Sequence, residues 1–282
     1  MDEITVAAVS TKNWIGEAEK SITNMEKWAK KAAKKEAEFV VFPELGVNGY
    51  FHSTHTWDVA ESIPGPSTDS LMEMADSLGL ILCFGMLEKE ADVVYNTQVV
   101  VNGEGIIGKQ RKIHMPGKEY LYWRGGFEIE AMDIGKAKIG ITICYDSLFG
   151  EMARTLFYKG AEILVMPFAY NTGPRAKFPE EDLTALTYRV HCHSNGMYGI
   201  LANNAGKRKK TEQEGSEITF PGWAGIFDPE GEVVDFTRDK GRGEAMAVAK
   251  LDPEKLAARR RSSYFVPRCL RPELYRSIGQ KV

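Results

Sequence analysis

The sequence predicts an α/β layered fold with mixed sheets. Short apolar runs of strand length alternate with amphipathic helical stretches along all 282 residues. Some of the runs sit in pairs around tight-turn residues and read as antiparallel hairpins, so the sheets are not purely parallel. No internal repeat, low-complexity tract or linker interrupts the alternation. A chain of 282 residues lies near the upper size of one hydrophobic core, so a single domain over residues 1–282 is expected.

The elements follow in order. Residues 4–9 form a first strand. Residues 14–35 place Ile15, Ala18, Ile22, Met25 and Ala29 on one helical face. Residues 39–42 are a short buried strand ending at Pro43-Glu44, and residues 67–78 and 80–86 form the next helix and strand. Residues 96–101 and 105–111 flank Asn102-Gly103, a strong hairpin turn. Residues 138–144, dense in isoleucine, read as a strand. Residues 151–159 read as a helix closed by Gly160, because glycine takes the left-handed cap without steric cost. A strand at 163–166, a helix at 182–193 and a strand at 198–202 come next. The polar stretch 206–217 reads as a surface loop. Residues 224–227 and 232–235 flank the turn Asp228-Pro229-Glu230-Gly231, and a last strand (244–251) and helix (253–261) follow. From Ser262 the chain carries Tyr264, Phe265, Leu270 and Tyr275 among arginines and prolines. Such a tail buries little alone, so residues 262–282 read as an arm lying on another surface.

The bulk numbers exclude several classes. A net charge of -3 gives no basis for nucleic-acid binding, and the basic runs 207–210 and 259–261 read as solvated faces. No apolar run approaches the roughly 20 residues that cross a bilayer, so no membrane partner is expected. The start Met1-Asp2-Glu3-Ile4 shows no basic segment followed by an apolar one, so no signal peptide is expected. Cys83, Cys144, Cys192 and Cys269 are too widely spaced for metal pairs or a secreted disulfide framework. Free thiols in a reducing cytoplasm fit, with no metal or cofactor.

Three residues draw attention through their places at strand ends. Cys144 ends the apolar run Ile139-Gly140-Ile141-Thr142-Ile143 and leads through Tyr145-Asp146-Ser147 toward a helix N-terminus. Alone, such a cysteine reads as a small core residue. At the carboxyl end of a strand, free backbone N–H groups would instead favour a thiolate and an oxyanion. Glu44 follows a buried strand. It reads as a cap or surface ion pair, or as a general base in a partly apolar site. Lys112 closes a basic strand end, either a solvated edge or a fixed cation beside developing negative charge. His191 and His193 lie on a helix with no pattern around them, so a Cys–His pair with Cys144 is the weaker alternative.

Taken together, Phe42-Pro43-Glu44, Arg111-Lys112-Ile113-His114 and Ile143-Cys144-Tyr145-Asp146 resemble the Glu, Lys and Cys blocks of the nitrilase superfamily in order and spacing. The resemblance extends through Lys159-Gly160-Ala161-Glu162, Asn195-Gly196-Met197-Tyr198, Asn203-Asn204-Ala205-Gly206, the late hairpin and Arg271-Pro272-Glu273-Leu274-Tyr275, nearly the whole chain. It implies a four-layer α-β-β-α sandwich, assembly as a homodimer or larger, and a second glutamate between the Lys and Cys blocks. Glu119 is the best match, although Gly125 and Phe127 replace the Pro and Asp of the family's following segment.

The resemblance further implies hydrolysis of a non-peptide C–N bond through a Cys144 thioester. Glu44 is then the base, and Lys112 with the Tyr145 backbone N–H the oxyanion donors. Tyr50, His114, Trp123, Tyr170 and Asn171 are the candidate substrate contacts. Ser147 and Leu148 stand where carboxylate-holding N-carbamoyl hydrolases carry arginine, which favours a neutral or apolar-tailed amide. Should a carboxylate bind, Arg175, Lys177 and residues 207–210 are the candidate cations. A ureido or nitrile substrate is the second reading, and a non-catalytic oligomeric scaffold the third.

Overall fold

The first strand shows how the layers arise. Alternate residues of a strand point to opposite faces. In β1 (Ile4–Ser10), Val6 and Ala8 join one buried apolar cluster while Ala7 and Val9 join another. Both faces are therefore covered, which is why the run reads as continuously apolar.

The computed structural model describes residues 1–171, 183–208, 218–237 and 243–280. After β1 the chain forms α1 (Ala18–Ala33), β2 (Phe39–Val41), α2 (Thr56–Val59), α3 (Pro66–Leu78), β3 (Ile81–Glu90), β4 (Val93–Asn102) and β5 (Gly105–Arg111). It continues with β6 (Ala131–Asp133), β7 (Lys138–Ile141), α4 (Gly150–Tyr158), β8 (Ile163–Phe168), α5 (Leu183–Asn195) and β9 (Tyr198–Asn203). Then come β10 (Ala205–Arg208), β11 (Ile218–Pro221), β12 (Ala224–Phe227), β13 (Val233–Phe236), β14 (Ala245–Leu251) and α6 (Pro253–Arg261).

Two six-stranded sheets result, in the orders β14-β1-β2-β3-β4-β5 and β13-β12-β9-β8-β7-β6. Strands β1-β2-β3 and β7-β8-β9 are parallel and their outer neighbours antiparallel. Between the sheets lie Val6, Phe39, Val41, Val100, Ile139, Ile163, Ile200 and Ala247. Outside the first sheet, Met25, Ala29 and Leu71 of α1 and α3 cover Val40, Leu82 and Val99. Outside the second, Met152, Leu156, Tyr188 and Cys192 of α4 and α5 cover Leu164, Met166 and Leu201. This is the four-layer α-β-β-α sandwich.

The topology brings strand ends together. Strand β5 runs antiparallel to β4, and β4 antiparallel to β3, so β5 ends at the same edge of its sheet as β2. Glu44 and Lys112 thus leave the first sheet side by side. Across the sandwich, β7, β8 and β9 deliver Cys144, Ala169 and Asn204. Ligand sites lie outside the carboxyl ends of such strands.

Several boundaries differ from the sequence reading. Helix α1 begins at Ala18 rather than Trp14. Residues 14–17 form a turn that places the Trp14 N–H on Ser21 Oγ at 3.1 Å. Strand β7 stops at Ile141, three residues short, because Cys144 already has a left-handed φ of 50° that no strand accommodates. The expected loop at 206–217 begins and ends as a ribbon, with β10 pairing antiparallel to β11, and residues 209–217 lie outside the described ones. Strand β6 and helix α2 are too short to show periodicity. The segment 262–280 folds as short 3-10 turns leaving Tyr264, Leu274 and Ile278 exposed.

Candidate active site

Glu44 owes its place to the end of β2. The Phe42 N–H donates to Cys83 O at 2.8 Å, and Gln98 Nε2 donates to Phe42 O at 3.1 Å. Pro43 has no N–H to extend the ladder, and the chain turns away. Leu45 carries a left-handed φ of 49°, a conformation that costs an L-residue free energy and concentrates at functional sites. The turn lies directly on β3 at Gly85, where an added Cβ would come within 2.9 Å of Pro43 O and 2.7 Å of Gln98 Oε1. Only glycine leaves that room.

Lys112 follows β5, its N–H donating to Asn96 O at 2.8 Å. Its ammonium is fully buried between two carboxylates. Nζ lies 2.8 Å from Glu44 Oε1 and 2.8 Å from Glu119 Oε2, and donates to Glu119 Oε1 at 2.9 Å. Glu119 opens a 3-10 turn, Glu119–Leu121, and Tyr50 OH donates to its Oε1 at 2.7 Å. Glu44 also accepts Asn96 Nδ2 on Oε1 and the Ala169 N–H on Oε2, both at 2.7 Å.

Cys144 begins the 3-10 turn Cys144–Leu148, half-buried, with its left-handed φ. Asp146 fixes this turn to the lysine block. Its Oδ2 accepts the Ile143 N–H at 3.3 Å, while Oδ1 accepts the His114 N–H and His114 Nδ1–H, each at 2.8 Å. Ser147 Oγ returns to Thr142 O at 3.0 Å.

The charges explain one another. Burial opposes the Lys112 charge, but Glu44, the Cys144 sulfur and Glu119 outweigh it and raise its pKa above the ordinary lysine value. Burial pushes Glu119 up to about 7, with Glu44 adding to the rise and Lys112 only partly offsetting it. Burial and the Glu44 carboxylate push the Cys144 thiol well above its usual range, against the pull of Lys112 and the Ala169 N–H. The resting sulfur is therefore a thiol that needs a base. The sequence reading led from Cys144 straight into the helix; the structure instead sets a 3-10 turn, Cys144–Leu148, before α4 starts at Gly150.

The family model for carbon-nitrogen hydrolases matches residues 5–261. The chain belongs to the carbon–nitrogen hydrolase family. A nitrilase of Pyrococcus abyssi is 34% identical over 88% of this chain and 90% of that protein. An N-carbamoylputrescine amidase of Solanum lycopersicum is 29% identical over 92% and 89%. The crystal structure of a carbon-nitrogen hydrolase from Helicobacter pylori matches with a TM-score of 0.90 over 99% of both chains, at 23% identity, and shares the fold. The protein is thus an amidohydrolase of the nitrilase superfamily acting on C–N bonds other than peptide bonds. The scaffold reading is set aside. Among the described residues no helix is long and apolar enough to cross a membrane.

Within this hydrolase the remaining expected residues fall in different places. Tyr50 touches Glu119, and its ring meets Trp123 edge-on at 5.9 Å. Trp123 is almost fully buried in a cluster with Leu45, Phe51 and Leu87. It walls the site from behind rather than lining an open surface. His114 is held by Asp146 and stacked on Phe149 at 3.7 Å, so it serves the cysteine turn. Tyr170 is half-buried, locked to Asn203 by paired amide bonds of 2.9 and 3.1 Å and packed near Trp223. Asn171 is exposed, and Arg175 and Lys177 lie outside the described residues. Tyr145 occupies the second position of the 3-10 turn, where backbone N–H groups have no partner inside the turn. His191 Nε2 lies 2.9 Å from Ser147 O, and His193 meets Glu230 O and Arg259. Neither pairs with Cys144 in this geometry.

Sequence reasoning missed Asn96, Asn204, which donates to Glu44 O at 3.1 Å, and the Ala169 N–H. It quoted Asp146 without a role. The available signal was polarity: Asn96 and Gln98 interrupt an apolar strand on the face that continues to Val100 between the sheets.

Proposed function

We propose that Glu44, Lys112 and Cys144 form the catalytic triad of a small-amide hydrolase, with Glu119 positioning Lys112. The observation that carries this is the fully buried Lys112 ammonium held at 2.8 Å from both the Glu44 and the Glu119 carboxylates, at the strand ends that also deliver Cys144. Glu44 takes the thiol proton as sulfur attacks the carbonyl carbon. Lys112 Nζ and the Tyr145 N–H stabilise the tetrahedral oxyanion. Glu44 returns the proton to the departing nitrogen, and the C–N bond breaks. Water, giving a proton to Glu44, then adds to the thioester; the acid leaves and the proton returns to sulfur.

The tail of the substrate is neutral or apolar in this reading. Ser147 is buried on Thr142 and Leu148 follows it, so the cysteine turn offers a carboxylate no cation. Burying an unpartnered carboxylate costs several kcal/mol. An N-carbamoyl amino acid should therefore fall about 100-fold below its carboxamide analogue in kcat/KM. Ammonia release from a panel of amides, carbamoyl compounds and nitriles measures this. Preference for the free acid moves the ureido reading ahead.

We read the chain as one hydrolase domain, with residues 262–282 an arm at the interface of a homodimer or larger assembly. The exposed Tyr264, Leu274, Tyr275 and Ile278 support that reading. Light scattering should give at least a dimer, and truncation before Ser262 should weaken assembly more than it unfolds the domain. A reducing cytoplasm fits the free cysteines, and thiol titration of protein from intact cells tests it.

A further inference from the structure

We propose that Asn96 is a positioning residue for the reaction: its side-chain amide occupies Glu44 Oε1 so that the proton travels through Oε2, on the Cys144 side. The proposal rests on Glu44 being the base. The two oxygens of Glu44 have different surroundings. Oε1 accepts Lys112 Nζ at 2.8 Å and Asn96 Nδ2 at 2.7 Å. A carboxylate oxygen offers about two lone-pair directions, and on Oε1 both are taken by donors. Oε2 accepts only the Ala169 N–H among the described residues, at 2.7 Å, which leaves it one direction free. Ala169 follows β8, the parallel neighbour of the strand β7 that leads to Cys144, so Oε2 faces the sheet that carries the thiol while Oε1 is held by residues of the first sheet.

The amide of Asn96 can face only one way. Turned over, it would set Oδ1 against Oε1, acceptor against acceptor. In the observed orientation Oδ1 is buried without a hydrogen-bond partner. That costs free energy which an apolar residue kept only for packing would avoid. The main-chain oxygen of Asn96 accepts the Lys112 N–H at 2.8 Å. One residue thus holds the base through its side chain and the cation through its backbone, and a side-chain substitution cuts only the first link. Without it, Oε1 opens to a proton on the side away from sulfur, and an ionised carboxylate loses a donor.

The test uses the full chain in a Cys269→Ser background. Cys83 and Cys192 are fully buried, so alkylation by iodoacetamide then reports Cys144 whether or not an amide is turned over. Asn96→Leu should lower kcat on butyramide about 30-fold, as loss of a hydrogen bond to a charged group does, with KM within threefold. The alkylation rate should fall with it, and its acid limb should move to higher pH. Asn96→Asp keeps the size but cannot donate once ionised. It should lose comparable activity at neutral pH and recover part of it on acidification. In a Glu44→Gln background, Asn96→Leu should cost less than a further threefold. Should either Asn96 variant keep kcat within threefold of wild type while Glu44→Gln is inactive, the proposal fails and the triad stands. An equal loss from Asn96→Leu in both backgrounds also overturns it, since the effect then bypasses Glu44. Full activity of Glu44→Gln alone, with Asn96 intact, overturns the base itself and the proposal with it.

Discussion

Glu88 and Glu119 are both buried carboxylates met by cations from the end of the same strand, yet they end in opposite states. Arg111 and Lys112 are neighbours, so strand alternation sends them to opposite faces. Arg111 takes Glu88, binding its Oε2 at 2.9 Å and its Oε1 at 2.5 Å, with Lys109 on the same carboxylate and Thr97 donating at 2.7 Å. Burial works against the Glu88 charge, but these donors prevail and bring it down to about 2. Arg111 also reaches the exposed Glu90 at 3.1 Å, whereas Lys112 alone serves two buried carboxylates, and Glu119 rises to about 7. The number of cations per acid separates the clusters more than burial does. The first is saturated with positive charge and fixed. The second has one cation for two buried acids, and a carboxyl raised toward neutrality there suits the acid–base chemistry proposed for it.

The largest break should come from removing the groups of the proposed triad. Cys144→Ala should lower kcat by at least about 10³-fold with the fold intact, read by steady-state ammonia release and circular dichroism. Retention of a tenth of wild-type kcat would remove Cys144 as nucleophile. On the proposed mechanism the residues share one transition state, so Glu44→Gln and Lys112→Ala should each be nearly as inactive and their double variant little worse. Additive losses would argue against that.

A smaller effect exchanges the two acids directly. Glu119→Ala should cost kcat roughly 10–100-fold, less than the triad, if it positions Lys112. Wild-type activity there would mean that another residue holds the lysine. Glu88→Gln should keep kcat within about fivefold but lower stability by on the order of 2 kcal/mol, because partly exposed partners discount the pair. Urea midpoints for the two variants sort the roles.

The smallest and most diagnostic effect is the pH dependence of stability. A depressed carboxylate stabilises above its unfolded value of 4.5 and loses that contribution as pH falls toward 2, so Glu88→Gln should flatten acid unfolding in that window. A raised carboxylate does the reverse. Glu119 holds a proton in the folded state that the unfolded chain has released, so its contribution is full below 4.5 and declines as pH climbs to about 7. Glu119→Gln should therefore gain stability relative to wild type between those limits. Parallel denaturation curves at pH 5 and pH 7.5 for wild type and Glu119→Gln would contradict this.

The strands and helices were legible wherever periodicity ran long enough, as in Ala18–Ala33 and Pro66–Leu78. Their ends were less so, because the stop at Ile141 depends on the backbone of Cys144 and not on its hydrophobicity. Glu44, Lys112, Glu119 and Cys144 could be picked out because their blocks resemble a family, and each alone had an ordinary reading. The link from Asn96 to Glu44 spans 52 residues and from Ala169 to Glu44 125 residues, and such pairings follow from the stacking of two sheets, which no local pattern encodes. His114 shows the same limit: its place in the lysine block suggests a substrate contact, and the bond from its ring to Asp146, 32 residues on, was not legible there.

Glu44, Lys112 and Glu119 come from the first half of the chain, Cys144 and Ala169 from the second, and Asn204 reaches Glu44 O across 160 residues. Neither sheet alone holds a working set. During synthesis, the carboxylates and the lysine emerge well before the sulfur they serve, and the lid of amides from β8 and β9 comes later still. Such long-range closure belongs to the slow part of folding. With the proposed triad, a partly folded chain can therefore have native helices and strands and still present a thiol inert toward amides. Chemistry then switches on only when the sandwich closes, which makes hydrolysis a report on the seam between the sheets.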